Sequence, residues 1–177
     1  MLAAVLLTEV PTQAQPHPGE LPVLKVPRVT EAPNLEDFTD MKPSPAWEGR
    51  LAKAEGFIQR LPQDGEPTSQ RTEAYVGYDQ ENFYCIFVAF DSEPGKVRAH
   101  KTPRDNLYGD ERLDLFLDTY HDFRRAFVFT VNPLGYQMDG LWTEGMRSQY
   151  DRSFDTVLGK VGGKLGSNLI IHYSIDS

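Results

Sequence analysis

The sequence predicts an all-β chain, an antiparallel β-sandwich of jelly-roll-like build. Three observations carry this expectation. From Thr72 onward apolar and polar residues alternate with period two. Strand-like runs recur roughly every 10–15 residues, separated by short polar turns. No helical pattern of about ten or more residues lies between them, which argues against a βαβ arrangement.

The elements follow in order. Residues 1–15 contain the apolar run Leu2-Ala3-Ala4-Val5-Leu6-Leu7, then Thr12-Gln13-Ala14 before Gln15. This reads either as the back half of a secretory signal peptide or as an ordinary flexible N-terminus. Glu9 interrupts the apolar stretch, and no basic region precedes it. Residues 16–46 form a proline-rich extended segment, in which Leu21–Val29 alternates loosely, as an edge tolerates. Residues 47–177 are assigned to the sandwich. Trp47 to Ile58 reads as a helical turn or an irregular strand, with Trp47 closing the core. Gln63-Asp64-Gly65-Glu66-Pro67 is a turn, because Gly supplies positive φ and Pro fixes its own.

Thr72–Tyr78 and Phe83–Phe90 read as a hairpin joined by Asp79-Gln80-Glu81-Asn82. The second run is almost wholly apolar and suits a central strand covered on both faces. Cys85 falls inside it and reads as a small buried side chain. Val97–Ala99 is expected to pair on after the Asp91–Gly95 turn. Leu113, Leu115 and Leu117 alternate with Asp114, Phe116 and Asp118, a half-buried strand with leucines inward. Ala126–Val131 and Tyr136–Trp142 flank the tight turn Asn132-Pro133-Leu134-Gly135. Leu169–Tyr173 is a further strand candidate.

Composition bounds the function. With 18 basic and 26 acidic residues in 177, the formal charge is −8, and a phosphate-tracking nucleic-acid binder would need the reverse. No apolar run reaches the roughly 18 residues of a spanning helix. A single cysteine excludes an internal disulfide and a cysteine-based zinc site.

Catalysis finds little footing. Asp114 and Asp118, four apart on one strand face, stand about 13 Å apart, beyond the roughly 5–10 Å that glycoside hydrolysis requires. His100, His121 and His172 show no ligand spacing, and no serine sits in a nucleophile elbow. A structural Ca²⁺ is conceivable from loop oxygens such as Asp91, Asp110, Asp114, Asp139 or Asp155, without an EF-hand pattern. Sugar binding needs flat aromatic platforms with planar polar partners. Trp142, near a strand end, and Tyr108, in the polar loop Arg104-Asp105-Asn106-Leu107-Tyr108-Gly109-Asp110, offer rings. Asn132, Arg104 and Asp105 offer polar groups. Each also has a structural reading: Trp142 as a core or rim plug, Arg104 and Asp105 as a surface pair or turn anchor.

An ordered set of motifs runs from Arg71 to Asp155, opened by Pro62-Gln63-Asp64-Gly65-Glu66-Pro67 before Arg71-Thr72-Glu73. Phe90-Asp91-Ser92-Glu93-Pro94 ends the aromatic strand. Arg104-Asp105 leads to Gly109-Asp110-Glu111-Arg112-Leu113 and Leu117-Asp118-Thr119-Tyr120. Phe127-Val128-Phe129-Thr130-Val131-Asn132-Pro133-Leu134-Gly135, Asp139 and Ser153-Phe154-Asp155 follow. In this the chain resembles the family 9 carbohydrate-binding modules. It is more closely similar to the related domain at the N-terminus of certain large bacterial outer-membrane proteins of unknown function. The resemblance implies a β-sandwich, non-catalytic carbohydrate binding, an extracytoplasmic location and membership of a longer chain. It implies aromatic sandwiching of the sugar and often structural calcium. Only Trp142, Asn132, Arg104 and Asp105 carry over, by neighbourhood.

The tail departs from the pattern. A Trp expected near Leu158 is missing, and Gly159-Lys160-Val161-Gly162-Gly163-Lys164 leads to an atypical end. Loss of a final strand would expose a sheet edge and could remove one wall of a sugar site. The expected partners are an oligo- or polysaccharide and, for a docking domain without sugar binding, an outer-membrane barrel or parent-chain domain. No nucleic acid is expected.

Overall fold

The computed structural model describes residues 23–145 and the strand residues 150–151, 158–165 and 168–176. Residues 1–15, with their leader-like run, and Asp155 lie outside them. The all-β class expected from the sequence is the class observed. The described strands are β1 (Ala52–Ala54), β2 (Thr72–Tyr78), β3 (Asn82–Phe90), β4 (Leu113–Leu117), β5 (Arg125–Val131), β6 (Gln137–Thr143), β7 (Tyr150–Asp151), β8 (Leu158–Leu165) and β9 (Asn168–Asp176). They form two antiparallel sheets, ordered β1-β2-β3-β9-β8 and β4-β5-β6-β7.

Alternation along β2 and β3 sends two sets of side chains to opposite faces. Ala74, Cys85 and Phe87 face Phe129 and Val131 of β5, with Leu113, Leu115 and Leu117 of β4 packed against them. This cluster joins the two sheets. On the other face Tyr75, Tyr84, Ile86 and Val88 pack under Val29, Phe38, Trp47 and Leu51. The stretch from Val29 to Leu51 is therefore a lid on the five-stranded sheet. A 3-10 turn at Leu35–Phe38 delivers Phe38, whose ring centroid lies 5.2 Å from that of Tyr75. Each fully buried side chain of this size contributes about 1.5–3 kcal/mol. β3 is covered on both sides, which explains its nearly continuous apolar sequence.

The edge of the lid is fastened by backbone. Val29 N donates to Tyr78 O at 2.7 Å, and Tyr78 N donates to Pro27 O at 3.1 Å. Gly77 lies beneath this crossing, because a Cβ there would stand 2.5 Å from Leu51 Cδ2. At the other end of β2 a buried carboxylate, Glu73, accepts from Tyr75 Oη at 2.7 Å and pairs with Lys53 Nζ at 2.8 Å. Burial works to raise the Glu73 carboxyl, but the Lys53 and Tyr75 hydrogen bonds outweigh it and hold it below the ordinary range.

One expectation is corrected. Val97–Ala99 is not a strand: Pro94 opens a 3-10 turn at Pro94–Lys96, and Arg98 is only clasped by Glu111, which donates its backbone N–H to Arg98 O at 2.9 Å. The stretch after Trp47, expected as a helical turn or an irregular strand, is a turn followed by the short β1, which pairs with β2. The atypical tail does not leave β3 at an edge. β9 pairs with β3 from Asn82↔Asp176 to Phe90↔Asn168, and β8 pairs with β9.

Candidate functional site

Trp142 sits one residue from the end of β6, opposite Ala126. Alternation places it, Ala126 and Phe116 on the outer face of the four-stranded sheet, away from the shared core. There Phe116, Phe123, Ala126 and Trp142 line an open cleft of about 210 Å³, with Asp118 and Arg125 beside them. Phe123 is 68% exposed and Phe116 48%.

The turn after β4 builds the rim. Asp118 accepts from the backbone N–H of Asp122 at 3.3 Å and of Phe123 at 2.8 Å. Asp122 accepts from Arg124 N at 2.8 Å, Arg125 N at 2.9 Å and Arg125 Nε at 2.9 Å. The Arg124 backbone N–H is the chief group holding the Asp122 carboxyl below its usual range; partial burial works the other way, and Arg125 adds to the lowering. These bonds carry the left-handed backbone of His121 (φ 53°) and Phe123 (φ 55°), which non-glycine residues rarely adopt. The strained turn presents the Phe123 ring outward. Arg125 lies over the Tyr120 ring, 4.3 Å from its centroid, which fixes its guanidinium plane. A cleft of this kind offers apolar faces to a flat ligand and a fixed donor fork at its edge. It is smaller than the roughly 300–1,000 Å³ of enclosed small-molecule pockets, so it suits a shallow contact.

The other expected site residues lie elsewhere, and none of them lines this cleft. Arg104 Nη2 donates to Asp139 Oδ1 at 2.5 Å. Asp105, at φ 65°, donates its N–H to Gln137 O at 3.1 Å and accepts from Asp139 N at 3.4 Å. The pair thus fastens the 101–112 loop to the start of β6. Tyr108, 56% exposed, lies on the same loop next to the wholly buried Leu107. Nearby, Gln137 Oε1 is a buried acceptor without a hydrogen-bond partner among the described residues.

Asn132 is completely buried. Its Nδ2 donates to Asp110 Oδ2 at 2.8 Å and His100 O at 3.1 Å; its Oδ1 accepts from Leu134 N and Tyr136 N, both at 3.0 Å. An interior side chain so engaged holds loops together and does not reach a surface ligand. Asp110 also accepts from His100 N at 3.0 Å and lies 2.7 Å from His100 Nδ1. The His100 hydrogen bond and then the Asn132 amide bring the Asp110 carboxyl down to about 2.

The oxygens proposed for calcium are scattered. Asp114 accepts from Thr130 Oγ1 at 2.6 Å, Asp91 from Glu93 N at 2.7 Å, and Asp139 pairs with Arg104. Among the described residues no three His, Cys, Asp or Glu side chains gather as a metal site.

A larger opening of about 550 Å³ lies between Arg28–Thr30 and Asp79–Glu81, but no aromatic ring lines it. Its Asp79 carboxylate is tied to Tyr84 Oη at 2.5 Å and to the N–H groups of Glu81 and Asn82 at 2.8 Å. Phe116, Phe123 and Arg125 are the cleft residues that the sequence reading did not select. One cue was available, a large aromatic at an outward position between two acids. No helix among the described residues is long and apolar enough to cross a membrane. No family model matches the chain, and no curated protein matches it.

Proposed function

We propose that the chain binds carbohydrate without cleaving it, through the Phe116–Phe123–Trp142 cleft. The observation that carries this reading is the convergence of three aromatic rings, from β4, the following turn and β6, beside Arg125 and Asp118. Pyranose rings present apolar CH faces that rest on such rings, and hydroxyls that take hydrogen bonds from a fixed guanidinium. The resemblance to family 9 carbohydrate-binding modules points the same way, with the domain serving as part of a longer secreted or envelope protein. Arg104, Asp105, Asn132 and Tyr108 are not ligand contacts in this reading; they shape the loop beside β6.

The test is a glycan array followed by calorimetric titration of the full chain and of Phe123→Ala and Trp142→Ala. Phe123 is mostly exposed, so its truncation leaves the fold intact. Each variant is expected to weaken binding by about tenfold or more, the worth of a well-packed aromatic contact. Absence of heat and of array signal for every glycan overturns the proposal. The exposure of Phe116, Tyr120 and Phe123 together favours one other reading, docking onto a barrel or parent-chain domain. In that case Phe123→Ala weakens association with that domain while no glycan binds.

A further inference from the structure

We propose that β4 is a self-pairing edge through which two copies of the chain form a two-fold dimer. Proteins normally guard sheet edges with very short strands, lysines, prolines or bulges. The other edges here are guarded. β1 has three residues with Lys53 at its centre, and β7 has two. β8 reads LGKVGGKL and carries a register shift between Leu158 and Val161.

β4 has no lysine, proline or bulge, and its one charge, Asp114, is engaged by Thr130 Oγ1 and by Arg112. It runs five residues, LDLFL, in unbroken register with β5, and its other side pairs with no described strand. Leu113, Leu115 and Leu117 are packed against the inter-sheet core yet remain only partly buried. Phe116 on the outer face is 48% exposed.

The charges select the occupant and the register. A two-fold axis through Leu115 sets Leu115 against Leu115, Leu113 against Leu117, and Asp114 against Phe116 of the second copy. It also sets Arg112 against Asp118 of the second copy, and the symmetry makes that contact twice. Opposed charges stabilise a directly facing pair, and like charges destabilise it. Moving the axis to Asp114 places Asp114 against itself. Moving it to Phe116 places Asp114 against Asp118. The Leu115 register is thus the charge-matched one of the three. It extends the leucine row without a break. Because the described strands offer one such edge, the pairing closes at two copies and does not propagate. A five-residue ladder is small beside a standard interface, so the dimer is dependent on concentration.

Sedimentation velocity of the full chain across the micromolar to millimolar range tests this. The expected result is a monomer–dimer equilibrium. Arg112→Glu sets acid against acid twice and should weaken it by on the order of a hundredfold. Arg112→Lys should retain it. Amide exchange in β4 of the unaltered protein should slow as concentration rises. A monomer at every concentration overturns the proposal. So does a dimer that survives Arg112→Glu, or one in which β4 exchange does not slow. The pairing also uses Phe116 and Asp118, which line the cleft, so the test reads association alone and alters Arg112, which lies outside the cleft.

Discussion

Asn132 Nδ2 donates to Asp110 Oδ2 at 2.8 Å across 22 residues of chain, joining the turn after β5 to the loop before β4. The same side chain also closes the Asn132–Tyr136 turn through two backbone N–H groups. Asn132→Ala removes all four bonds and leaves buried polar groups unpaired. Since an unpaired buried group costs about 1–3 kcal/mol, a loss of about 3 kcal/mol is expected. Urea denaturation measures it. If Asn132 instead served as a surface ligand contact, stability would barely move.

Gly77 has no Cβ to meet Leu51. Gly77→Ala relieves the chain of glycine's entropy by about 0.5–1 kcal/mol, but its Cβ would stand 2.5 Å from Leu51 Cδ2. Leu51 is buried in the cluster under the lid, and overpacking such a position costs about 1–3 kcal/mol. The clash wins, and a net loss of about 1 kcal/mol is expected. The double variant Gly77→Ala/Leu51→Ala should show a smaller cost for the alanine at 77 than the single one. Equal costs in both backgrounds would show that Leu51 is not the obstacle.

The strands from Thr72 to Trp142 were legible because burial marks their sequence directly, as alternation where one face is covered and as the continuous apolar run of β3 where both are. β8 was not: a strand of glycines and lysines has no apolar period to read. β9 was seen only in part, as its place beside β3 is a long-range choice that local sequence does not encode. The site divides in the same way. Trp142 could be picked out as an aromatic near a strand end. Asn132, Arg104 and Asp105 had the right residue types, but their hydrogen bonds run to partners up to 35 residues away. Phe123 was hidden because a left-handed φ on a phenylalanine has no sequence signature; only the Asp118 and Asp122 bonds around it make that conformation hold.

Cys85 lies 1% exposed in the middle of β3, and burial pushes its thiol up to about 12. A thiol without thiolate at neutral pH does not attack disulfide reagents. The native protein is expected to be inert to a chromogenic disulfide reagent. One equivalent should react in denaturant, with a midpoint matching loss of β-structure. Rapid labelling of the native protein would contradict the packing of β3 between the lid and the second sheet.

Asp79 and Asp110 join Glu73 and Asp122 in shaping the acid limb of stability. Hydrogen bonds from Tyr84 Oη and then from the Glu81 and Asn82 N–H groups hold Asp79 at about 2; those from His100 and Asn132 hold Asp110 at about 2. Both start from an ordinary 3.8. Their folded pKa lies below the unfolded one, so between these values the unfolded chain binds more protons. Their contribution is therefore complete above about pH 4 and is lost as pH falls towards 2. Denaturation midpoints taken across that interval should fall steadily. Asp110→Asn removes one of these titrations and sets an amide donor against that of Asn132. It should be less stable than the unaltered chain at neutral pH and should lose less on acidification. An acid limb of undiminished steepness in that variant would show that Asp110 does not hold its proton affinity down through this network.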